Sequence, residues 1–225
     1  MDIGQLIMNG FPRLATGNVA DAGRVDIKIM DVGIKPLYHT MKVAGPAYTV
    51  ETPPTAFLSI LEAIRLAPSG SVLVINAHGN QTVGHLGDLI ALACQVRKIA
   101  GIVIDGAVRD VEDIIKMGFP VFARGAIPHG NLLQAGTINQ PIHCGGIQIN
   151  PGDMIFADAT GVLAFPQAKA QAIYDQAVVI ANRELGLVQQ INAGKTLLDI
   201  PEFLKMHGLD PAMLNGNEIN PDSSK

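Results

Sequence analysis

The sequence contains no tryptophan and only three tyrosines and seven phenylalanines in 225 residues. Its core must therefore be largely aliphatic, drawn from an apolar fraction of 48%. The two cysteines, Cys94 and Cys144, lie far apart and outside any CxxC pair, which argues against a zinc knuckle. Both read as small buried hydrophobes in a reducing compartment. Charge is sparse too, at 16% of residues with a net of −4, so there is no broad basic footprint for nucleic acid. No apolar run reaches the ~18 to 20 residues of a membrane span. The N-terminal "MDIGQLIMNGFPRLATGNVADA" lacks a basic segment followed by an apolar one. These absences predict a soluble cytoplasmic protein with no membrane partner and no direct nucleic-acid contact. The chain is long enough to bury a substantial core.

What is present alternates. "SVLVINA" (71–77), "IVIDG" (102–106) and "FPVFARG" (119–125) have strand length and strand composition. Between them, "HLGDLIALACQVRKIA" (85–100) and "VRDVEDIIKMG" (108–118) read as helices, the second stopped by Gly118. Apolar strands alternating with helices imply a parallel α/β unit. Upstream, Thr16 or Asn18 offers a helix cap, and Pro53-Pro54 suits the start of a helix that Pro68 and Gly70 close. "HGNQTVG" (78–84) reads as a polar loop. Residues 136–166 are rich in Gly and Pro, with short β runs, and suggest a β-meander. Residues 167–194 suggest a long helix with a possible break at Gly186. A short helix, "IPEFLKMHG", follows, and "NGNEINPDSSK" (215–225) reads as a polar, frayed end.

In an open parallel sheet, ligands bind beyond the carboxyl ends of the strands. Two such ends are rich in functional groups. "SVLVINA" leads into "HGNQTVGHLGD", and "IVIDG" leads into "AVRD". If the two strands are neighbours, Asp88, Arg109 and Asp110 share one rim. Two carboxylates suit a hard divalent cation that keeps several waters and accepts substrate oxygens. A guanidinium suits a substrate carboxylate or a developing enolate. The amides of Gly84, His85, Leu86 and Gly87 precede a helix N-terminus, where anions are favoured. The plainer alternative is that Asp88 and Asp110 are first-turn acids complementing helix dipoles. From local pattern alone both readings stand.

The spacing GxxxD-x20-RD, from Gly84 through Asp88 to Arg109-Asp110, resembles the class II pyruvate aldolases of the 4-hydroxy-4-methyl-2-oxoglutarate aldolase type and their relatives, the regulators of ribonuclease activity A. "AGPAYTV" (44–50), "PVFARG" (120–125), "INQPIHCGGIQINPGDMIFADATGVLAFP" (138–166) and "INAGKT" (191–196) are similar to further blocks of that superfamily, in the same order. The resemblance covers about residues 10–197. It implies a single α/β domain over 1–225, a swivelling-domain-like α-β-β-α sandwich with helical ends, and a tail at 198–225.

The resemblance also implies roles. Asp110 would bind Mg²⁺ or Mn²⁺, and Asp88 would hold a water of that ion. Arg109 would contact the pyruvoyl part of a 2-oxo acid, and the Gly84–Asp88 loop would present backbone amides to it. Glu184, from the C-terminal region of a neighbouring subunit in a trimer or dimer of trimers, would complete the site. The implied activity is carbon–carbon cleavage of a 4-hydroxy-2-oxo acid to pyruvate, with oxaloacetate decarboxylation beside it. The alternative is a non-catalytic regulator that binds a ribonuclease. One departure from the family is that relatives often read "ADDDG" where this chain has "ADATG" (157–161). Among other residues, His129 and His143 read as structural or surface groups, and His85 as a possible substrate contact. Asp105 is open between orienting Arg109 and an ordinary turn role, and Arg124 between an anion contact and a surface residue. Asp153 and Asp158 read as turn formers.

Overall fold

A computed structural model describes residues 3–130 and 132–210; the polar end at 215–225 lies outside them. The chain divides into two compact units, one ending at Ala177 and one beginning at Val178. The helices are α1 (Ile3–Gln5), α2 (Thr16–Ala22), α3 (Leu58–Leu66), α4 (Asp88–Val96), α5 (Val111–Met117), α6 (Ala170–Asn192) and α7 (Pro201–Met206). The strands are β1 (Lys28–Ile29), β2 (Lys35–Pro36), β3 (Val43–Glu51), β4 (Val72–Gly84), β5 (Gly101–Val108), β6 (Val121–Ala123), β7 (Gly125–Ala126), β8 (Thr137–Ile138), β9 (Ile142–Cys144), β10 (Ile147–Ile149), β11 (Met154–Ala157) and β12 (Val162–Phe165).

Among the described residues, ten strands form one mixed sheet in the order β1-β12-β11-β3-β4-β5-β6-β2. β7 adds to β5, β8 adds to β3, and β9 and β10 form a separate antiparallel pair. The centre, β3-β4-β5-β6, is parallel, as the alternation of apolar strands and helices predicts. The class is mixed α/β. Both faces of β4 are buried, which explains its unbroken apolar run. Leu73, Ile75 and Ala77 pack with Ile60, Ala63, Ala91 and Cys94 from α3 and α4. Val72 and Val74 pack with Met30, Ile142, Cys144 and Ile155 on the opposite face. Each large aliphatic side chain buried this way contributes roughly 1.5–3 kcal/mol. The few aromatics are concentrated: the Phe11 ring lies 5.6 Å from Phe156, 5.8 Å from Phe165 and 5.6 Å from Tyr174. Both cysteines are buried and free, and burial pushes the Cys94 thiol up to about 12.

Several boundaries differ from the sequence expectations. β4 does not end at Ala77. It continues to Gly84 through irregular register, pairing Asn80 with Gly106 and Gly84 with Ala107. "HGNQTVG" is thus held in the sheet by its neighbour despite its polar, turn-like composition. β5 likewise runs on to Val108. α4 starts at Asp88, not His85, and α3 starts at Leu58. Pro53-Pro54 instead open a turn closed by Ala56 N–H donating to Pro53 O. α2 starts at Thr16 with Ala15 as its cap residue. The Thr16 amide and hydroxyl donate to Asp158, at 2.9 and 2.7 Å, so a carboxylate 142 positions away supplies the acceptor. Asp158 also accepts from Thr160 N at 2.8 Å, and Asp153 accepts from Asn150 N at 2.9 Å. Both are the turn-shaping bonds expected of them.

The second unit contains the remainder of α6, which passes through Gly186 unbroken. A 3-10 turn (Leu197–Asp199) follows, closed by a reciprocal cap between Thr196 and Asp199, and then α7. Among the described residues, no helix is long and apolar enough to cross a membrane.

Candidate functional site

β4 and β5 are adjacent and parallel, with Gly84 opposite Ala107. The segments that leave them therefore emerge side by side. Arg109 N–H donates to Leu86 O at 2.9 Å, and His85 N–H to Ala107 O at 2.9 Å, which stitch the two segments together. A Cβ on Gly84 would come to 3.0 Å of both Arg109 Cβ and Ile127 O, so any larger residue would push on these neighbours.

Asp110 adopts the left-handed conformation, φ 55° and ψ 39°. Aspartate tolerates this region better than most residues, but it still costs energy. Asp110 sits at the cap position of α5, yet its carboxylate makes no capping bond. Instead it turns back toward α4, accepting Arg109 Nε–H at 3.0 Å. The pair is solvent-accessible, with side-chain exposures of 44% for Arg109 and 30% for Asp110. Ion pairs of that kind contribute only ~0–1 kcal/mol to stability. The carboxylate packs directly on Gly87, where a Cβ would overlap Asp110 Oδ2. Asp88 opens α4 immediately after Gly87 and is half-buried. Gly87, Asp88, Leu89, Arg109, Asp110 and Phe57 line one cavity of about 310 Å³. Arg109 and Asp110 also line a second, of about 260 Å³, with Ala126, Ile127 and Pro128.

The remaining predicted site residues fall elsewhere. Gly84 N–H donates to His129 O at 2.9 Å, and the His85 amide is spent as described. Neither is available to a ligand: continuation of the pairing with β5 consumes the His85 amide, and the His129 carbonyl consumes that of Gly84. Leu86 is packed in the core, 1% exposed. The amides nearest the 310 Å³ cavity are those of Gly87 and the first turn of α4, whose N–H groups have no intrahelical acceptor. The His85 ring is buried, with Nε2 2.8 Å from Pro54 O and Nδ1 3.2 Å from Ala107 O. It bridges two backbone segments and lines neither cavity. Asp105 does not orient Arg109. It accepts from Arg124 Nε and from Gly145 N, the latter at 2.8 Å. Arg124 also pairs with Asp31 at 3.1 Å, and the Asp105 bond, partly offset by burial, raises its pKa. Glu184 is exposed on α6, in the second unit.

The donor set bears on which metal could be held. Among the described residues, no group of three or more His, Cys, Asp or Glu side chains is placed to hold an ion, so a closed protein cage for zinc is not built there. Two aspartates at an open, water-accessible cavity instead match the requirements of Mg²⁺ or Mn²⁺. Such ions take one or two carboxylates and complete their shell with water and substrate oxygens. Sequence reasoning missed a second polar group, Glu51, Asn76 and His78, because Glu51 is 25 positions from Asn76 and becomes its neighbour only through strand register.

Comparison with known proteins identifies the family. A protein of Halalkalibacterium halodurans named "Putative 4-hydroxy-4-methyl-2-oxoglutarate aldolase" is 39% identical over 145 residues, 64% of this chain and 69% of its own length. An uncharacterized protein of Methanocaldococcus jannaschii is 32% identical over 86% of this chain and 92% of its own. The crystal structure of Streptomyces coelicolor RraAS2, described as an unusual member of the RNase ES inhibitor RraA protein family, superposes with a TM-score of 0.75. It is 28% identical, covering 83% of this chain and 98% of that one. The sequence profile of the Aldolase/RraA family matches residues 16–164, the stretch that contains the whole parallel sheet and both Asp88 and Arg109-Asp110. The chain belongs to the RraA-like (Aldolase/RraA) family.

Proposed function

We propose that this protein is a divalent-metal-dependent carbon–carbon lyase that cleaves a 4-hydroxy-2-oxo acid, of the 4-hydroxy-4-methyl-2-oxoglutarate or 4-carboxy-4-hydroxy-2-oxoadipate type, to pyruvate. Oxaloacetate decarboxylation would be a second activity. The observation that carries the reading is the gathering of Asp88, Arg109 and Asp110 around one cavity at the start of α4, with Asp110 turned away from its own helix.

Asp110 would hold Mg²⁺ or Mn²⁺, with Asp88 beside it. When bound, the cation supplies Lewis-acid polarisation of the substrate's keto and carboxylate oxygens. Arg109 places a fixed positive charge where the enolate oxygen develops as the C3–C4 bond breaks. Asp88 accepts the C4 hydroxyl proton through a water. The Gly87 amide and the first turn of α4 favour the substrate's negative end. Decarboxylation of oxaloacetate needs the same enolate but no base at C4, so one site serves both. We further propose a homo-oligomer, a trimer or dimer of trimers, in which Glu184 of a neighbouring copy reaches this site. The proposed location is the cytoplasm.

The family also supports a second reading. The S. coelicolor neighbour is described as a member of an RNase inhibitor family, and a non-catalytic protein that docks on a ribonuclease would share this fold. One experiment separates the two. Pyruvate release is followed with oxaloacetate and a panel of 4-hydroxy-2-oxo acids, with and without Mg²⁺ or Mn²⁺, for the wild type and Asp110→Ala. Metal-dependent turnover that Asp110→Ala abolishes is the expected result. No turnover on any substrate, together with measurable ribonuclease binding, rejects the lyase in favour of the regulator.

A further inference from the structure

A row of four polar side chains crosses the end of the parallel sheet. Thr137 on β8 is the register partner of Glu51 on β3, Glu51 of Asn76 on β4, and Asn76 of Asp105 on β5. Side chains paired in register project to the same face. Earlier positions on that face, Val72, Val74 and Val103, belong to an aliphatic cluster, so along β4 and β5 the face changes from apolar to polar at this register. Asn76 and Asp105 are 5% and 7% exposed. Polar groups are costly to bury in a sheet that could have been aliphatic throughout. Above the row is a cavity of about 610 Å³, completed by His78, Pro141, Ile142 and His143. It shares no lining residue with the two cavities at Arg109 and Asp110.

The side chains in this row are held in place. Asn76 Oδ1 accepts His78 N–H at 2.9 Å, and Asn76 Nδ2 donates to both Glu51 oxygens, at 3.0 and 3.1 Å. Glu51 Oε1 lies 2.8 Å from His78 Nε2. With the proton on Nε2, the Nδ1 of His78 keeps a lone pair. Arg124, the guanidinium bonded to this row, is already spent on Asp105 and Asp31. The cavity therefore presents acceptors to a visitor: a carboxylate 31% exposed at Glu51, the ring nitrogen of His78 and the hydroxyl of Thr137. An anion entering there would meet charge of its own sign. An ammonium group, with three donors, a positive charge and no acceptor, is the complement.

We propose that this cavity is a second ligand site, taking a small molecule that carries a protonated primary amine, with Glu51 as counter-charge and His78 as an orienting acceptor. The proposal does not depend on the lyase reading.

The test is titration of the full chain with ethanolamine, by calorimetry and by NMR of the histidine rings. Saturable binding that perturbs the His78 ring signals is expected. Glu51→Gln should weaken it about ten-fold or more, the size of a lost charge-assisted bond. His78→Asn, which tolerates the left-handed backbone that His78 adopts at φ 56°, should weaken it measurably even if Glu51→Gln fails to fold. Asp113→Asn, at an exposed carboxylate on α5, should leave it unchanged. Absence of saturable binding overturns the proposal. So does unchanged affinity in folded Glu51→Gln or in His78→Asn, or perturbation of the His78 signals by acetate or Zn²⁺ alone and not by the amine.

Discussion

Replacing Gly87 with alanine tests the candidate site more directly than removing either charged residue. The backbone at Gly87 is extended, φ −137° and ψ −161°, a conformation any residue adopts, so alanine brings no torsional strain. Two small effects on stability oppose each other. Alanine is a poorer helix cap than glycine, a loss of about 0.5–1 kcal/mol. It also restricts the unfolded chain, a gain of about 0.4–1 kcal/mol. The net change should lie within about 0.5 kcal/mol. The new Cβ, however, overlaps Asp110 Oδ2 and comes within 3.0 Å of Arg109 Cγ, so the carboxylate and the guanidinium must shift. A displacement of roughly 1 Å in a reacting group can lower the rate about 10²-fold. The expected outcome is a wild-type thermal melt with pyruvate release from oxaloacetate, in Mg²⁺, reduced by about that factor. Mn²⁺ affinity, read from the EPR signal of the free ion, should fall in parallel. Turnover within about three-fold of wild type at unchanged stability would refute the idea that the placement of Asp110 against Gly87 matters to the chemistry.

Other perturbations address separate parts of the argument. Arg109→Ala should lower kcat/KM by about 10²-fold, the typical effect of losing one charge-stabilising donor; a near-normal rate removes Arg109 from the mechanism. Ser59 is fully buried on α3, and its Oγ has no hydrogen-bond partner. Ser59→Ala should therefore stabilise the fold by about 1 kcal/mol in urea unfolding, and a loss of stability would contradict that account. Asp158 shows the acid dependence expected of a bonded carboxylate. Burial alone would raise its pKa, but hydrogen bonds from Thr16 and Thr160 outweigh burial and hold it below the ordinary 3.8. A depressed carboxylate contributes stability that is fully present above the unfolded pKa and is lost as pH falls through the folded one. Asp158→Asn should therefore be less stable than wild type at neutral pH, with the difference narrowing below about pH 4. A difference independent of pH would show that the carboxylate's charge has no role.

Much of the site was legible because its parts are local. Gly84, Asp88, Arg109 and Asp110 stand where apolar strands give way to helices, and chain order alone puts β4 and β5 in parallel with their exits on one side. The aliphatic core, the buried cysteines and the α/β class also follow from composition and from the alternation of strand-length and helix-length segments. Local pattern failed where a distant partner outweighed it. "HGNQTVG" reads as a loop, yet Asn80 and Gly84 find register partners in Gly106 and Ala107, and the strand extends through them. That extension withdraws the His85 amide from any ligand, and the His129 carbonyl takes the Gly84 amide. The start of α2 is held by Asp158, which no reading of "TGNVADAG" could suggest. Asp105, which the sequence left open between orienting Arg109 and a turn role, joins the row with Glu51 and Asn76 and bonds Arg124 and Gly145. The sequence by itself determined which segments are strands or helices and which charged residues lie at their ends, since periodicity and turn chemistry act over a few residues. Only the tertiary structure decided which polar groups share a face, because strand register is a sum of contacts between segments far apart in the chain, and a shift of one residue sends every side chain to the other side.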